Sequence, residues 1–227
     1  MHREFWSMLF GHTQNSWLDE TISTITFATY HRRFEAERHT IIPPKFLVCH
    51  LLEDGNDWRA FMSGIATYPD IMVPWWDVDR VYMLIHSYPN HWLFGELRLE
   101  SIEVHLYDSL GRGTFENFEL DGTLSKFEAW VAKFLDKTNY WKRRNIPKRP
   151  LNMTFTLEDS VPQQSSVLGD CVVFVCMFME QLVSGQPIHE FMDPKNADLE
   201  FRQRMDKIYW GSCVGPMWLD VIYSYLP

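Results

Sequence analysis

The chain has no long apolar run: its longest, Cys171 to Met179, covers nine residues and stops at Glu180. A bilayer span needs roughly 20, so no membrane partner is expected. Cysteine is scarce. Cys49, Cys171, Cys176 and Cys213 are too few and too scattered for a disulfide framework, which points to a reducing, intracellular compartment. Positive charge is in deficit, with 21 Lys and Arg against 30 Asp and Glu for a net charge of −9. A broad basic face, and with it direct nucleic-acid binding, is not expected. The amino terminus, Met1 to His12, lacks the basic-then-apolar order of a secretory signal. Repeats, low-complexity tracts and Pro- or Gly-rich linkers are also missing, so residues 1–227 read as one domain.

What is present is enough material for a core. In 227 residues, 46% are apolar and 15% aromatic, a composition that can close over itself without staples. The one dense basic stretch, Lys142-Arg143-Arg144 with Lys148-Arg149, reads as a solvated loop in preference to a nuclear-import signal. Among the residues themselves, that stretch is what speaks for a nuclear placement.

Patterning along the chain suggests alternating helices and short strands. Ser16 and Asp19 form a capping box before Leu18, Ile22 and Ile25 at helical spacing, predicting a helix from about Trp17. Phe46 to Cys49 has strand composition, Arg80 to Ile85 leads into the His91 segment, and Met153 to Leu157 alternates like a strand. Trp92 to Leu99 and Ile102 to Tyr107, separated by Glu100-Ser101, predict an antiparallel hairpin opened by His91 and closed by Asp108. Leu124, Phe127, Trp130, Val131, Phe134 and Leu135 trace one face of an amphipathic helix. Cys171 to Val183 is apolar nearly all round, hence a buried helix with the cysteine in its first turn. Pro194 to Trp210 predicts a further helix, capped by Asp193, with Leu199, Phe201, Met205 and Ile208 facing inward.

Four side chains then stand out by their joint placement: His91 at a strand start, Asp108 at a strand end, Gln164 in a loop and Cys171 at a helix start. A thiol hydrolase needs a nucleophile, a base, a group that orients the base and an oxyanion donor. Antiparallel pairing brings His91 and Asp108, seventeen residues apart, side by side. The N–H groups of a helix amino terminus favour thiolate over thiol. Taken singly, each residue also fits an ordinary role: Cys171 a small buried hydrophobe, His91 a surface histidine, Asp108 a turn residue, Gln164 a loop residue.

The order resembles that of the ubiquitin-like-protein-specific cysteine proteases, the SUMO-protease group with a papain-like core in rearranged chain order. That family's His-Trp, Asp-Ser-Leu, Pro-Gln-Gln and Asp-Cys-Gly segments are matched by His91-Trp92, Asp108-Ser109-Leu110, Pro162-Gln163-Gln164 and Asp170-Cys171. A Trp-Leu-Asp motif is matched by Trp17-Leu18-Asp19, and the resemblance runs from about residue 5 to about 185. Val78-Asp79-Arg80-Val81-Tyr82 looks like the plant and transposon-associated branch. Val172 stands where the family has glycine, and the Gln-to-Cys loop is about one residue longer.

The resemblance implies an α+β papain-like fold, with a small mixed sheet packed on the buried helix that starts at Cys171. It implies hydrolysis of the peptide or isopeptide bond after the Gly-Gly terminus of a ubiquitin-like modifier such as SUMO, or of its conjugates. Cys171 would attack, His91 move the proton and Asp108 hold the imidazole; Gln164, with Gln163 as understudy, would donate to the oxyanion. Trp17 and Trp92 would wall a tunnel that admits glycine and rejects larger residues. No metal or organic cofactor is required, and a monomer is expected. The other readings are a modifier-binding module impaired by Val172 or the altered loop, and a Cys-dependent acyltransferase.

Overall fold

The computed structural model describes residues 39–42, 73–87, 91–120, 122–164, 171–188 and 199–205. The expected helix from Trp17, the Phe46 to Cys49 strand and the Asp193-Pro194 helix start lie outside these residues. Among the described residues, no helix is long and apolar enough to cross a membrane.

Five strands form one mixed sheet: β1 (His39–Ile42), β2 (Arg80–Ser87), β3 (His91–Arg98), β4 (Glu103–Tyr107) and β5 (Thr154–Leu157), side by side in chain order. The expected hairpin is β3 and β4, antiparallel with Phe94 opposite Tyr107 and Arg98 opposite Glu103. β2 adds antiparallel to β3, while β1 and β5 join in parallel at the edges. β3 lies centrally and buries both faces, so its sequence lacks a clean in-out alternation. Gly95 is required at its middle, because a Cβ there would lie 2.8 Å from Cγ of Met83 on β2.

The β3–β4 turn departs from the sequence reading in two residues, Leu99 and Ile102, which both fall in the turn. Ile102 does not begin the strand. It holds a left-handed backbone (φ 61°) and returns its N–H to the carbonyl of Arg98 at 2.8 Å. A β-branched residue is strained there, and burial of the Ile102 side chain in the core offsets the strain.

Four helices follow: α1 (Arg112–Leu120), α2 (Thr123–Lys137), α3 (Tyr140–Arg143) and α4 (Cys171–Val183). Residues 199–205 are also helical. The α2 stripe buries Phe127, Val131, Phe134 and Leu135 as its periodicity predicts, with Trp130 stacked on Phe134. These residues and Trp75, Tyr140 and Trp141 form a cluster with Val81, Met83, Leu93, Leu97, Val104 and Leu106 of the sheet. On the other face, Tyr82, Leu84, Phe94 and Tyr107 meet the whole apolar body of α4. The sheet is therefore sandwiched between α2 and α4, one layer more than the sequence implied.

Two expectations are corrected. Leu199 is exposed, whereas Phe201 and Met205 are buried; 201 and 205 lie one turn apart on a helix face that position 199 does not share. The basic stretch is exposed at Lys142, Arg143, Lys148 and Arg149, as a solvated stretch would be, but its start is helical and not loop. Lys142 and Arg143 belong to α3, the Arg143 guanidinium stacks 4.2 Å from the Trp76 ring, and Arg144 bonds to Asp79 at 2.5 Å and to the Val78 carbonyl. Planar guanidinium groups that find such partners fold onto the surface instead of projecting from it.

Candidate active site

His91 is the first residue of β3 and Asp108 directly follows β4, so the open end of the hairpin brings them together. His91 Nε2 lies 2.7 Å from Asp108 Oδ1, and both residues are buried. The same oxygen accepts the Leu110 N–H at 2.8 Å, and the Gly111 N–H returns to the Asp108 carbonyl at 3.2 Å. These two bonds make 108–111 a tight turn, completed by a left-handed Gly111 (φ +84°). Among the described residues, Asp108 Oδ2 has no hydrogen-bond partner. The charge of Asp108 is therefore offset chiefly by the imidazole.

Cys171 opens α4, and α4 packs along β3. Its thiol lies near enough to His91 to help raise the imidazole's pKa. With Nε2 taken by Asp108, Nδ1 is the ring nitrogen left for the thiol. Burial works against the imidazolium, but hydrogen bonds to Asp108 and Cys171, together with their charges, more than offset it and push His91 from 6.5 up to about 9. A value of about 9 favours the charged imidazole at neutral pH.

The segment 161–164 packs beside the turn. Gln163 Nε2 donates to the carbonyls of Asp108 (3.2 Å) and Val161 (3.1 Å). Gln164 meets Ser109 instead, its backbone N–H donating to the Ser109 carbonyl at 3.0 Å and its Oε1 accepting the Ser109 hydroxyl at 2.8 Å. The two glutamines therefore have different partners: the Gln163 amide bonds to backbone carbonyls, the Gln164 oxygen to a hydroxyl. Trp92, next to His91, is half-buried and packs against the α4 cluster. Val172 is buried in that same cluster, its methyls filling core space. Trp17 and Asp170 lie outside the described residues. Among the described residues, no group of three or more His, Cys, Asp and Glu could hold a metal ion.

A buried polar cluster that the sequence reading missed lies further along β3. Glu96 accepts from Tyr107 Oη at 3.0 Å and from Arg98 Nη2 at 3.1 Å, and Arg80 Nη1 lies 3.2 Å from its other oxygen. The available signal was an acidic residue inside an apolar strand, with Arg98 two positions on; Arg80 reaches it only through the pairing of β2 with β3.

A thiol at the head of a buried helix, facing an imidazole held by a buried carboxylate, has the groups for thiol-dependent acyl transfer. Comparison with known proteins places the chain within that class. Residues 24–209 match the model of the Ulp1 protease family, C-terminal catalytic domain, and the chain belongs to that family. The match starts later and ends later than the sequence reading expected, and leaves Trp17 outside it.

Among solved structures, the SUMO protease Ulp1 with its catalytic cysteine oxidised to a sulfenic acid is similar at 18% identity, with a TM-score of 0.63 over 92% of this chain and 85% of that one. The C-terminal Ulp1 protease domain in complex with Smt3, the yeast ortholog of SUMO, is similar at 19% identity and TM-score 0.62, over 88% and 78%. The Xanthomonas campestris effector XopD bound to ubiquitin aligns at 14% identity and TM-score 0.50, over 86% and 92%. These likenesses show the Ulp1-like α+β fold. No curated protein matches the chain.

Proposed function

We propose that this chain is a cysteine peptidase that hydrolyses the peptide or isopeptide bond after the Gly-Gly terminus of a ubiquitin-like modifier such as SUMO. The observation that carries the reading is the 2.7 Å His91–Asp108 contact at the head of the helix that Cys171 opens, within a chain of the Ulp1 protease family. The family's protease activity and the Smt3-bound relative supply the substrate class.

In this reading the Cys171 thiolate adds to the carbonyl carbon after the terminal glycine. The resulting oxyanion is met by the Cys171 backbone N–H and Gln164 Nε2; loss of one such donor costs on the order of 10²–10³ in rate. His91 delivers its proton to the departing amine as the C–N bond breaks, leaving a thioester on Cys171. The neutral imidazole then takes a proton from water, whose oxygen attacks the thioester. The modifier leaves as a carboxylic acid and Cys171 regains the ion pair. Asp108 keeps the ring oriented throughout and stabilises its charged form. Trp92, beside His91, would form one wall of a slot too narrow for a Cβ. The burial of Val172 in the core supports turnover, since its side chain takes up space away from the substrate.

The test is covalent capture of the purified chain by SUMO and ubiquitin probes ending in a thiol-reactive Gly-Gly mimic, with Cys171→Ser as control. Labelling of wild type alone is expected. A folded chain that binds modifier but is never labelled would sink the peptidase reading in favour of a binding module. Transfer to an added amine in preference to water would convert it to an acyltransferase.

A further inference from the structure

The string Asp108-Ser109-Leu110 contains one polar residue with no part in the mechanism above. Ser109 is almost wholly buried, at 2% exposure. Its hydroxyl proton goes to Gln164 Oε1 at 2.8 Å, and its carbonyl accepts the Gln164 backbone N–H at 3.0 Å. One residue therefore grips both the main chain and the side chain of Gln164.

The geometry points to Ser109 as a positioning residue that sets which way the Gln164 carboxamide faces, and so couples the turn holding Asp108 to the donor for the oxyanion. This rests on the function proposed above. A carboxamide has two nearly isosteric orientations that exchange its oxygen for its nitrogen. A buried hydroxyl that must donate its proton selects the orientation with the oxygen toward it, which puts the NH₂ on the opposite branch. The neighbouring Gln163 does not compete for this place, because its own NH₂ braces the Asp108 and Val161 carbonyls. Gly111 keeps that arrangement open: a Cβ on its left-handed backbone would meet Gln163 Oε1 at 3.2 Å. The turn and the glutamine segment thus dock as a unit, with Ser109 as the contact that discriminates one end of an amide from the other.

Ser109→Ala should lower kcat on a modifier–fluorophore amide about tenfold, the scale of one net hydrogen bond, with KM unchanged. A modifier ending in an aldehyde, which forms a tetrahedral adduct with the thiol, should lose affinity by a similar factor. Binding of unreactive modifier to Cys171→Ala should not respond to the Ser109 change. Ser109→Thr, which keeps the hydroxyl, should recover turnover, and Ser109→Ala should cost nothing further in a Gln164→Ala background. The inference is overturned by an unchanged kcat in Ser109→Ala, by failure of threonine to rescue, or by an equal loss with and without Gln164. Failure of the underlying function would appear separately, as a wild-type chain that the Gly-Gly probe does not label.

Discussion

Two carboxylates in this domain are almost fully withdrawn from water, and they are held by different kinds of base. Asp108, 1% exposed, faces His91 across 2.7 Å. Glu96, 0% exposed, sits against Arg98, Arg80 and the Tyr107 hydroxyl. The partner of Asp108 is a weak base that can gain and lose a proton, here pushed up to about 9, so that pair can move charge. The arginines beside Glu96 stay charged at any ordinary pH. Burial and the Glu96 charge raise the Tyr107 phenol far above its usual range, so it remains a donor. Tyr107 precedes Asp108 in the chain, so neighbouring residues contribute to the two clusters. A buried charge becomes chemistry only where its partner can titrate; elsewhere the same burial makes a fixed strut.

This contrast can be pressed from its most severe test downward. Cys171→Ser should remove turnover, by on the order of 10⁴ to 10⁶ in kcat/KM, with the fold retained, as a steady-state assay and circular dichroism would establish. Asp108→Asn should cost on the order of 10² to 10⁴ and return the His91 titration from about 9 toward its usual value, measurable as a shifted acid or base limb of the rate profile. Glu96→Gln should act in the opposite sense, lowering stability by up to about 3 kcal/mol because the two arginines lose their buried counter-charge. The rate profile of the folded variant should stay where it was; a shift in its pH limbs would erase the distinction drawn here.

The same His91 shift makes a stability prediction. Its folded-state value is raised from 6.5 to about 9, so the stabilisation is fully present below pH 6.5 and is lost as pH rises through about 9. Chemical denaturation from pH 6 to 10 should show the decline, and Asp108→Asn should flatten it. The smallest effect is expected at Arg112, whose contact with Asp159 is exposed on both sides: Arg112→Ala should change stability by less than about 0.5 kcal/mol.

The hairpin, α2 and α4 were legible because each is written in short-range periodicity: β-formers around a polar turn, an apolar stripe at helical spacing, and an apolar run without a polar face. β1 was not, since its four residues include His39 and Thr40, polar yet buried, and its partner strand comes some forty positions later. α1, with Gly113, Asn117 and few apolar positions, carries too weak a stripe to distinguish it from a connection. Glu96 reads locally as an outward-facing strand residue. Its burial depends on Arg80 from β2 and Tyr107 from β4, which only the assembled sheet supplies.

By itself the sequence determined which candidate groups exist, their order, and the local elements that carry His91, Asp108 and Cys171 to the ends of strands and a helix. Backbone periodicity and turn chemistry act over a few residues, and those were enough. The tertiary structure alone decided the direction of the His91 shift, the second helical layer, and the different hydrogen-bond partners of Gln163 and Gln164. Each of these depends on distances through space and on the exclusion of water, and neither quantity is carried by any short stretch of chain.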